Sequence, residues 1–204
     1  MMNNLPQSPL TMEIQPLVIA IENQMRTNTP MILVVDGDCG AGKSTLAQHL
    51  STLFDASIIP VDDFFVPFAI RTDERMRSPG SNVHWERFLL EILQPLHEKR
   101  DFAYQAYRCQ SNSYVEKSVK MRKLIIVEGS YSHHPELSES YKKLNALRCF
   151  ISVDEETQHA RLKERNPQLY QRFVDEWIPL EKNYHQAYDI INKADLIINN
   201  LPQK

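Results

Sequence analysis

The residues best suited to chemistry lie in one glycine-rich turn, here called the glycine loop. Residues 37–44 read GDCGAGKS and match the pattern G-x-x-x-x-G-K-[ST]. Glycines let backbone N–H groups converge on phosphate oxygens, and the positive N-terminal end of a following helix adds to the attraction. A chance glycine turn would lack this context, because here an apolar strand pattern precedes the turn and a helical pattern follows it. The loop therefore predicts a site for a nucleoside triphosphate.

The polar side chains at the end of the loop have separate expected roles. Lys43 reaches the β- and γ-phosphates, Ser44 ligates Mg²⁺ through its hydroxyl, and Thr45 adds a further hydroxyl to the phosphates. ATP and Mg²⁺ are therefore the expected nucleotide and metal. The residues predicted to contact the nucleotide are Gly37, Asp38, Cys39, Gly40, Ala41, Gly42, Lys43, Ser44 and Thr45.

Carboxylates follow two of the predicted strands. Asp62 and Asp63 come after the strand 58–61, at the edge where open parallel sheets bind ligands. Asp62 is predicted to accept the proton of an attacking hydroxyl, with a solvated turn as the alternative interpretation. Glu128 follows the strand 124–127 and is predicted to position Mg²⁺, with a plain surface carboxylate as the alternative.

Arginines form a third cluster. Arg161 and Arg165 lie four residues apart, so they share one face of a helix, and Arg172 follows in the next helical segment. Guanidinium groups on a mobile helix pair would offset the negative charge that spreads over a phosphoryl group in transfer. The alternative is that these arginines simply pair with the acidic side chains near them.

The elements that must position these residues alternate along the chain. Short apolar runs predict core strands at 31–35, 58–61, 124–127, 149–153 and 195–199. Helical spacing begins after residue 44, after an Asn82 cap, and over 136–147, 155–165 and 168–193, the last broken near Pro179. Two segments within 101–120 are compatible with short antiparallel strands. The alternation predicts an α/β fold, a doubly wound parallel sheet of about five strands.

The chain divides into two expected parts. Residues 1–30 are an N-terminal arm and a helix capped by Ser8 or Thr11, and residues 31–204 are a single nucleotide-binding domain. Within that domain we expect an insertion on the acceptor side over about 64–120 and a helical lid over about 161–185.

Composition narrows the classes of function. The 204 residues are 42% hydrophobic with a formal net charge of -3, which argues against a general nucleic-acid binder. No apolar run approaches the ~18 residues that span a bilayer, and the first residues lack the basic and apolar regions of a signal peptide. Three cysteines without a CxxC are typical of reduced thiols. We expect a cytoplasmic protein without nucleic-acid or membrane partners, and a homo-oligomer stays open.

Four motifs carry a resemblance to a known family. VDGDCGAGKSTLA, VDDFF, VEGS and ARLKERN occur in the order and approximate spacing of the uridine kinase-like branch of P-loop kinases, which includes phosphoribulokinase and bacterial pantothenate kinase. The resemblance covers about residues 31–199 and implies ATP-dependent phosphorylation of a small-molecule hydroxyl. It implies that Asp62 is the catalytic base, Glu128 the metal-associated acid, and Arg161 and Arg165 the lid arginines that act with Lys43.

The stretch that would read the acceptor departs from uridine kinase. Val83 falls where that family has an Asp that holds ribose hydroxyls, and Arg108, Gln110 and Asn112 follow Tyr107 where the family has a His and an Arg. The resemblance therefore extends to the chemistry more than to nucleoside recognition. The candidate acceptor contacts are Asp63, His84, Arg87, Tyr104, Tyr107 and Arg108, with core packing as an equal explanation for some of the tyrosines.

Three functions follow from these residues. The first is a uridine kinase-like phosphotransferase. The second is a kinase for a pantothenate-like or sugar-phosphate acceptor, whose anionic group would meet Arg71, Arg75, Arg77 or Arg108. The third is a regulatory protein that binds ATP without transferring phosphate.

Two further patterns are interpreted as structural. Residues 192–195 read NKAD, similar to the guanine-reading NKxD of GTPases, but they are predicted to end a helix and precede a strand. His133 and His134 are adjacent, so their side chains point apart, and no third ligand completes a metal site.

Overall fold

A computed structural model describes residues 13–27 and 29–200. Its centre is a parallel sheet of five strands in the order β2-β5-β1-β6-β7, and the remaining two strands form an antiparallel hairpin. This architecture confirms the predicted doubly wound sheet of about five strands. The strands are β1 (Met31–Gly37), β2 (Ser57–Pro60), β3 (Phe102–Arg108), β4 (Ser113–Val119), β5 (Leu124–Glu128), β6 (Leu147–Ser152) and β7 (Leu196–Asn199).

Helices cover both faces of the sheet. Two π-helical segments, Leu89–Leu93 and Phe173–Trp177, join α4 to α5 and α8 to α9, so each pair is one continuous helical stretch. The α-helices are α1 (Gln15–Met25), α2 (Lys43–Phe54), α3 (Asp73–Met76), α4 (Trp85–Phe88), α5 (Gln94–His97), α6 (Ser138–Lys143), α7 (Glu155–Arg165), α8 (Tyr170–Arg172) and α9 (Ile178–Tyr188).

The two faces of the sheet carry separate apolar cores. Side chains of β1 and β5 are buried along their whole length and alternate between the two cores, which explains the uninterrupted apolar runs of these strands. One core contains α1 and α2, and the other contains α4, α5, α9 and the hairpin. The hairpin therefore joins the sheet through apolar packing rather than by strand pairing.

Several predicted helix limits are wrong, each for a local reason. The helix expected over 136–147 ends at Lys143, and Asn145 turns the chain with a φ of 51° into β6. The stretch predicted over 168–193 stays helical through Pro179, but its α-helical hydrogen bonding is interrupted directly before this proline by the π-helical segment Phe173–Trp177, which agrees with the break predicted near Pro179. Its last helix, α9, ends at Tyr188, since Asp189 adopts a left-handed conformation.

One of the predicted helix caps is wrong, and the other two lie outside the described residues. Asn82 does not cap the following helix, whose N-cap is His84, because Val83 forms a bridge with Phe65 instead. Ser8 and Thr11 lie outside the described residues. Over residues 13–27 and 29–200, none of the helices combines the length and the apolar character that crossing a bilayer requires.

Candidate active site

The glycine loop connects β1 at the centre of the sheet to the first turn of α2. Gly37 has a φ of 143°, and a Cβ at this position would lie 2.0 Å from the carbonyl oxygen of Ile151 in the neighbouring strand β6. Only glycine therefore lets β1 turn this close to β6. Because α2 begins at Lys43, the loop lies against the N-terminal end of a helix, where anions are favoured.

Lys43 is held at the mouth of the loop by three hydrogen bonds. Its Nζ donates to the carbonyl oxygens of Gly37 at 2.6 Å and Asp38 at 3.0 Å, and to Ser130 Oγ at 3.1 Å. The side chain is almost fully buried, so the ammonium group is fixed without a direct carboxylate partner. A fixed ammonium beside a run of backbone amides is suited to a polyphosphate.

Ser44 and Glu128 face each other across the start of α2. Ser44 Oγ donates to Glu128 Oε2 at 3.1 Å. Burial raises the pKa of Glu128, as does the nearby Asp62, whereas Lys43 and the bond from Ser44 oppose the shift. A hydroxyl and a carboxylate are oxygen ligands of the kind that Mg²⁺ takes, usually together with waters and phosphate oxygens. Among the described residues no group of three or more His, Cys, Asp or Glu side chains is placed to hold a metal ion.

Asp62 lies in a 3₁₀ turn, Val61–Phe64, directly after β2. Gly129 makes room for this turn, because a Cβ there would lie 3.0 Å from Val61 Cβ and 3.5 Å from Asp62 Oδ1. The carboxyl group is reached by solvent but surrounded by protein, and this partial loss of hydration raises its pKa. Lys43 opposes the shift and Glu181 reinforces it, so Asp62 is within electrostatic reach of the glycine loop.

The side chain of Asp63 is buried against the hairpin. Its side chain is 4% exposed and accepts three hydrogen bonds, from Tyr104 Oη at 2.7 Å, Lys117 Nζ at 2.6 Å and Arg108 Nη1 at 3.2 Å. Burial and the bond to Asp63 raise the pKa of Tyr104 above its usual value. Asp63 therefore connects both hairpin strands to the 3₁₀ turn after β2 and brings two cations together.

The other predicted acceptor residues are placed differently from one another. Arg87 pairs with Glu91 at 2.7 Å and lies over the ring of Tyr114, so it supports the hairpin. Tyr107 is buried and donates to Asn112 Oδ1 at 2.9 Å. His84 contacts Glu86 at 3.0 Å at the start of α4, where burial lowers the pKa of the histidine.

A cavity of about 440 Å³ opens between Ser44, Glu128 and the hairpin, a volume suited to a small molecule. At one end it reaches the Ser44 hydroxyl and the Glu128 carboxylate, and at the other it reaches hairpin side chains. Its lining residues are Ser44, Gln48, Ile58, Pro60, Tyr104, Lys117, Ser118, Val119 and Glu128.

The three arginines of the expected lid are separated by their contacts. Arg161 Nη1 donates to the carbonyl oxygen of Gly40 in the glycine loop at 3.3 Å. Arg165 is exposed and opposes the rise in the pKa of Asp62, so it lies within electrostatic reach of that carboxyl group. Arg172 pairs with Glu176 at 2.9 Å and lies 5.0 Å from the centre of the Trp177 ring. Arg161 and Arg165 therefore interact with the glycine loop or Asp62, whereas Arg172 contacts side chains of its own helical stretch.

Sequence reasoning missed four polar residues of this region. Asp36 accepts bonds from the backbone of the β5–α6 connection and from Tyr184 Oη at 2.8 Å, and so joins β1 to α9. Ser130 bonds Lys43, Lys117 bonds Asp63, and Glu181 reaches the glycine loop. Ser130 ends the VEGS motif, two residues after Glu128, so its position in the sequence could have indicated a role. The other contacts join distant segments of the chain.

The two patterns interpreted as structural have structural contacts. His133 Nε2 lies 3.3 Å from the carbonyl oxygen of Val34, and the ring of His134 stacks on Trp85. Asp195 accepts a bond from the backbone N–H of Arg148 at 2.8 Å, which ties the start of β7 to β6.

Comparison with known proteins identifies the fold. No protein-family model matches the sequence, and no curated protein matches it. The structure of a possible uridine kinase from Bacillus stearothermophilus matches with a TM-score of 0.64 at 17% identity, over 90% of this chain and 99% of that chain. The chain has the fold of P-loop kinases.

Two further structures with the P-loop kinase fold lead to the same conclusion. A candidate P-loop kinase with a circular permutation from Saccharomyces cerevisiae matches with a TM-score of 0.66 at 14% identity, over 94% of this chain and 100% of that chain. D-glycerate 3-kinase from Cryptococcus neoformans matches with a TM-score of 0.53 at 12% identity, over 82% and 86% of the two chains. At these identities the likeness establishes the fold, and the chemistry depends on the residues described above.

Proposed function

We propose that this protein is an ATP-dependent phosphotransferase that moves the γ-phosphate to a hydroxyl group of a small molecule. The observation that carries the proposal is the proximity of two groups. Lys43 is fixed beside the glycine loop by three hydrogen bonds, and the carboxyl group of Asp62 lies within electrostatic reach of its ammonium group. A phosphate cradle that faces a carboxylate base is the minimum that phosphoryl transfer to a hydroxyl needs.

In this mechanism each residue has one task. Asp62 accepts the proton of the acceptor hydroxyl while the hydroxyl oxygen bonds to the γ-phosphorus. The bond between that phosphorus and the β–γ bridging oxygen breaks, and ADP leaves with the electron pair. Lys43 and the loop amides stabilise the charge on the phosphate oxygens, and Arg161 and Arg165 approach from α7.

Ser44 and Glu128 are the residues proposed to hold magnesium. Their hydroxyl and carboxylate oxygens lie 3.1 Å apart, and a bound ion would replace this hydrogen bond. Mg²⁺, when bound, offsets the phosphate charge and orients the β- and γ-oxygens.

The acceptor has two candidate classes within this function. The first is a nucleoside, as in the possible uridine kinase whose structure this chain resembles. The second is an anionic acceptor, and the hairpin favours it. Lys117 and Arg108 share one carboxylate, Asp63, so one positive charge is left without a balancing carboxylate in this cluster. Among the arginines considered earlier, Arg75 is already paired with Glu86 at 2.9 Å.

A metabolite panel tests the proposal. The purified protein is incubated with Mg·ATP and pooled nucleosides, vitamins and sugar phosphates, and mass spectrometry identifies the compound that gains a phosphate. Asp62→Asn provides the matched control, because it keeps the shape of the side chain and removes the base. ATP binding without phosphorylation of any acceptor would favour the regulatory alternative instead.

A further inference from the structure

Glu181 is a buried carboxylate that lies on the glycine loop. It belongs to α9, is 6% exposed, and accepts a hydrogen bond from the backbone N–H of Cys39 at 2.8 Å. Its other oxygen accepts a bond from Ser130 Oγ at 2.6 Å, and that hydroxyl in turn accepts a bond from Lys43 Nζ at 3.1 Å. A backbone amide, a hydroxyl and a nearby ammonium are the donors that a phosphate group would use in this loop.

A carboxylate in this position is costly without such donors. Burying a charge requires pairing or hydrogen bonds, and the carboxylates of Asp38, Asp62 and Glu128 also lie within electrostatic reach of Lys43. Glu181 raises the pKa of Asp62, which shows that it adds like charge to the site. A polyphosphate that entered the loop would meet both the repulsion of Glu181 and its occupation of the Cys39 amide.

Cys39 also connects the loop to the helices above it. Its side chain packs in a small apolar cluster with Leu162 of α7, Phe173 and Ile178, against which Trp177 is partly buried. The continuous stretch from α8 to α9, residues 170–188, is therefore docked on the glycine loop at Cys39, by a hydrogen bond and by apolar packing, and His185 of α9 also lies 3.7 Å from Asp38 of the same loop. Tyr184 anchors the far end of this stretch in the main core.

We propose that Glu181 takes the place of a phosphate oxygen at the Cys39 amide in the nucleotide-free protein, so that nucleotide binding displaces it and loosens residues 170–178 from the loop. The inference rests on the nucleotide site proposed above. It makes Glu181 a positioning residue that couples occupation of the loop to the helices that carry Trp177. Removal of its charge then strengthens nucleotide binding, whereas removal of a supporting group would weaken it.

Calorimetric titration of Glu181→Gln with Mg·ATP, tripolyphosphate and adenosine tests the inference. Glutamine keeps the length of the side chain and one acceptor oxygen, and removes the charge. The Kd for Mg·ATP and for tripolyphosphate falls about tenfold, since a hydrogen bond to a charged group no longer competes, while the Kd for adenosine is unchanged. Glu176→Gln is the matched control, because it makes the same change in the same helical stretch on a half-exposed side chain that pairs with Arg172.

Tryptophan fluorescence supplies a second readout that does not depend on affinity. Mg·ATP changes the emission of Trp177 in the wild type, and the free Glu181→Gln variant already shows emission close to that of the bound wild type. The change disappears in Trp177→Phe, which separates it from the buried Trp85. Thermal unfolding of each variant verifies that it is folded.

The outcomes separate this inference from the proposed function. Unchanged or weaker binding of Mg·ATP by folded Glu181→Gln, with the wild type binding normally, overturns the inference alone. An equal fall in the Kd for adenosine overturns the inference too, because the variant would then bind ligands more tightly whether or not they carry phosphate. Absence of any nucleotide binding by both proteins would contradict the proposed function as well.

Discussion

The two sides of the cleft are built in different ways. The proposed nucleotide side is the glycine loop with the first turn of α2, completed by Glu128 on the adjacent strand β5. The proposed acceptor side depends on Asp63, whose three partners in the hairpin lie 41, 45 and 54 residues away in the sequence. Backbone amides thus dominate one side and ion pairs between distant segments dominate the other.

This difference predicts that the two sides tolerate substitutions to different degrees. A backbone cradle depends on glycines and on one turn, so few substitutions are compatible with it. An ion-pair cluster on a hairpin can change partners without altering the parallel sheet, because the hairpin packs on the core and does not pair with the sheet strands. The acceptor side is therefore where related folds can acquire different substrates.

Loss of Lys43 should have the largest effect. Lys43→Met is expected to reduce kcat/KM about 10³-fold, because the ammonium stabilises charge on the transferred phosphoryl group. Steady-state kinetics with the acceptor identified by the metabolite panel measures the change. Lys182→Met, on the exposed side of α9, is the control and should retain activity. Retention of full activity in folded Lys43→Met would contradict the assignment of the glycine loop as the nucleotide site.

Loss of Asp62 should affect chemistry but not nucleotide binding. Asp62→Asn is expected to lower kcat roughly 10²-fold, the scale of a lost general base, while the Kd for Mg·ATP stays within about threefold. Stopped-time assays and calorimetry on the same preparation give the two quantities. A parallel loss of ATP affinity would mean that Asp62 belongs to the nucleotide side.

The pH dependence of kcat gives a sharper test of the same residue. The pKa of Asp62 is raised by partial loss of hydration, so its basic form is present only above a pKa higher than the usual value of about 3.9. Activity should therefore be lost as the pH falls through that raised pKa, and this acidic limb should change in Asp62→Asn. An acidic limb identical in both proteins would assign it to another group, such as Glu128, whose pKa is also raised.

The same division explains what the sequence could predict. The alternation of strands and helices, the glycine loop and the limits of α7 follow from local patterns, because each element is encoded within about a dozen adjacent residues. The contact of Glu181 with Cys39 spans 142 residues and that of Lys117 with Asp63 spans 54. The periodicity of apolar residues carries no information about such pairs. It does not show whether a carboxylate on a helix, such as Glu181 on α9, is buried against a distant loop or exposed to solvent. The end of the helix expected to reach Lys193 was missed because Asp189 adopts a left-handed conformation without a glycine.

A smaller effect is expected on the acceptor side from Asp63→Asn. Asparagine keeps the shape but leaves Lys117 and Arg108 without their shared charge partner. Because both cations are partly exposed, we expect a loss of about 1.5 kcal/mol in the free energy of unfolding, or roughly 4 °C in Tm. The KM for the acceptor should rise more than kcat falls. Asp55→Asn, which removes the charge of an exposed partner of Arg122, is the matched control. An equal effect of that change would contradict the role of Asp63 in holding the hairpin.

The smallest effects should come from the arginines. The effect of Arg161 of α7, which contacts the glycine loop, should exceed that of Arg172 of α8. Arg161→Ala is expected to lower kcat about tenfold, because Arg161 touches the Gly40 carbonyl, and a guanidinium held there can approach the phosphates. Arg172→Ala should change kcat less than about twofold, since its ion pair with Glu176 is half-exposed and such pairs contribute little. Assays of both variants at saturating ATP and acceptor measure this ratio. If Arg172→Ala were the more damaging change, residues 170–178 would have to close over the nucleotide in the transition state, and the loosening inferred for Glu181 would be reversed during catalysis.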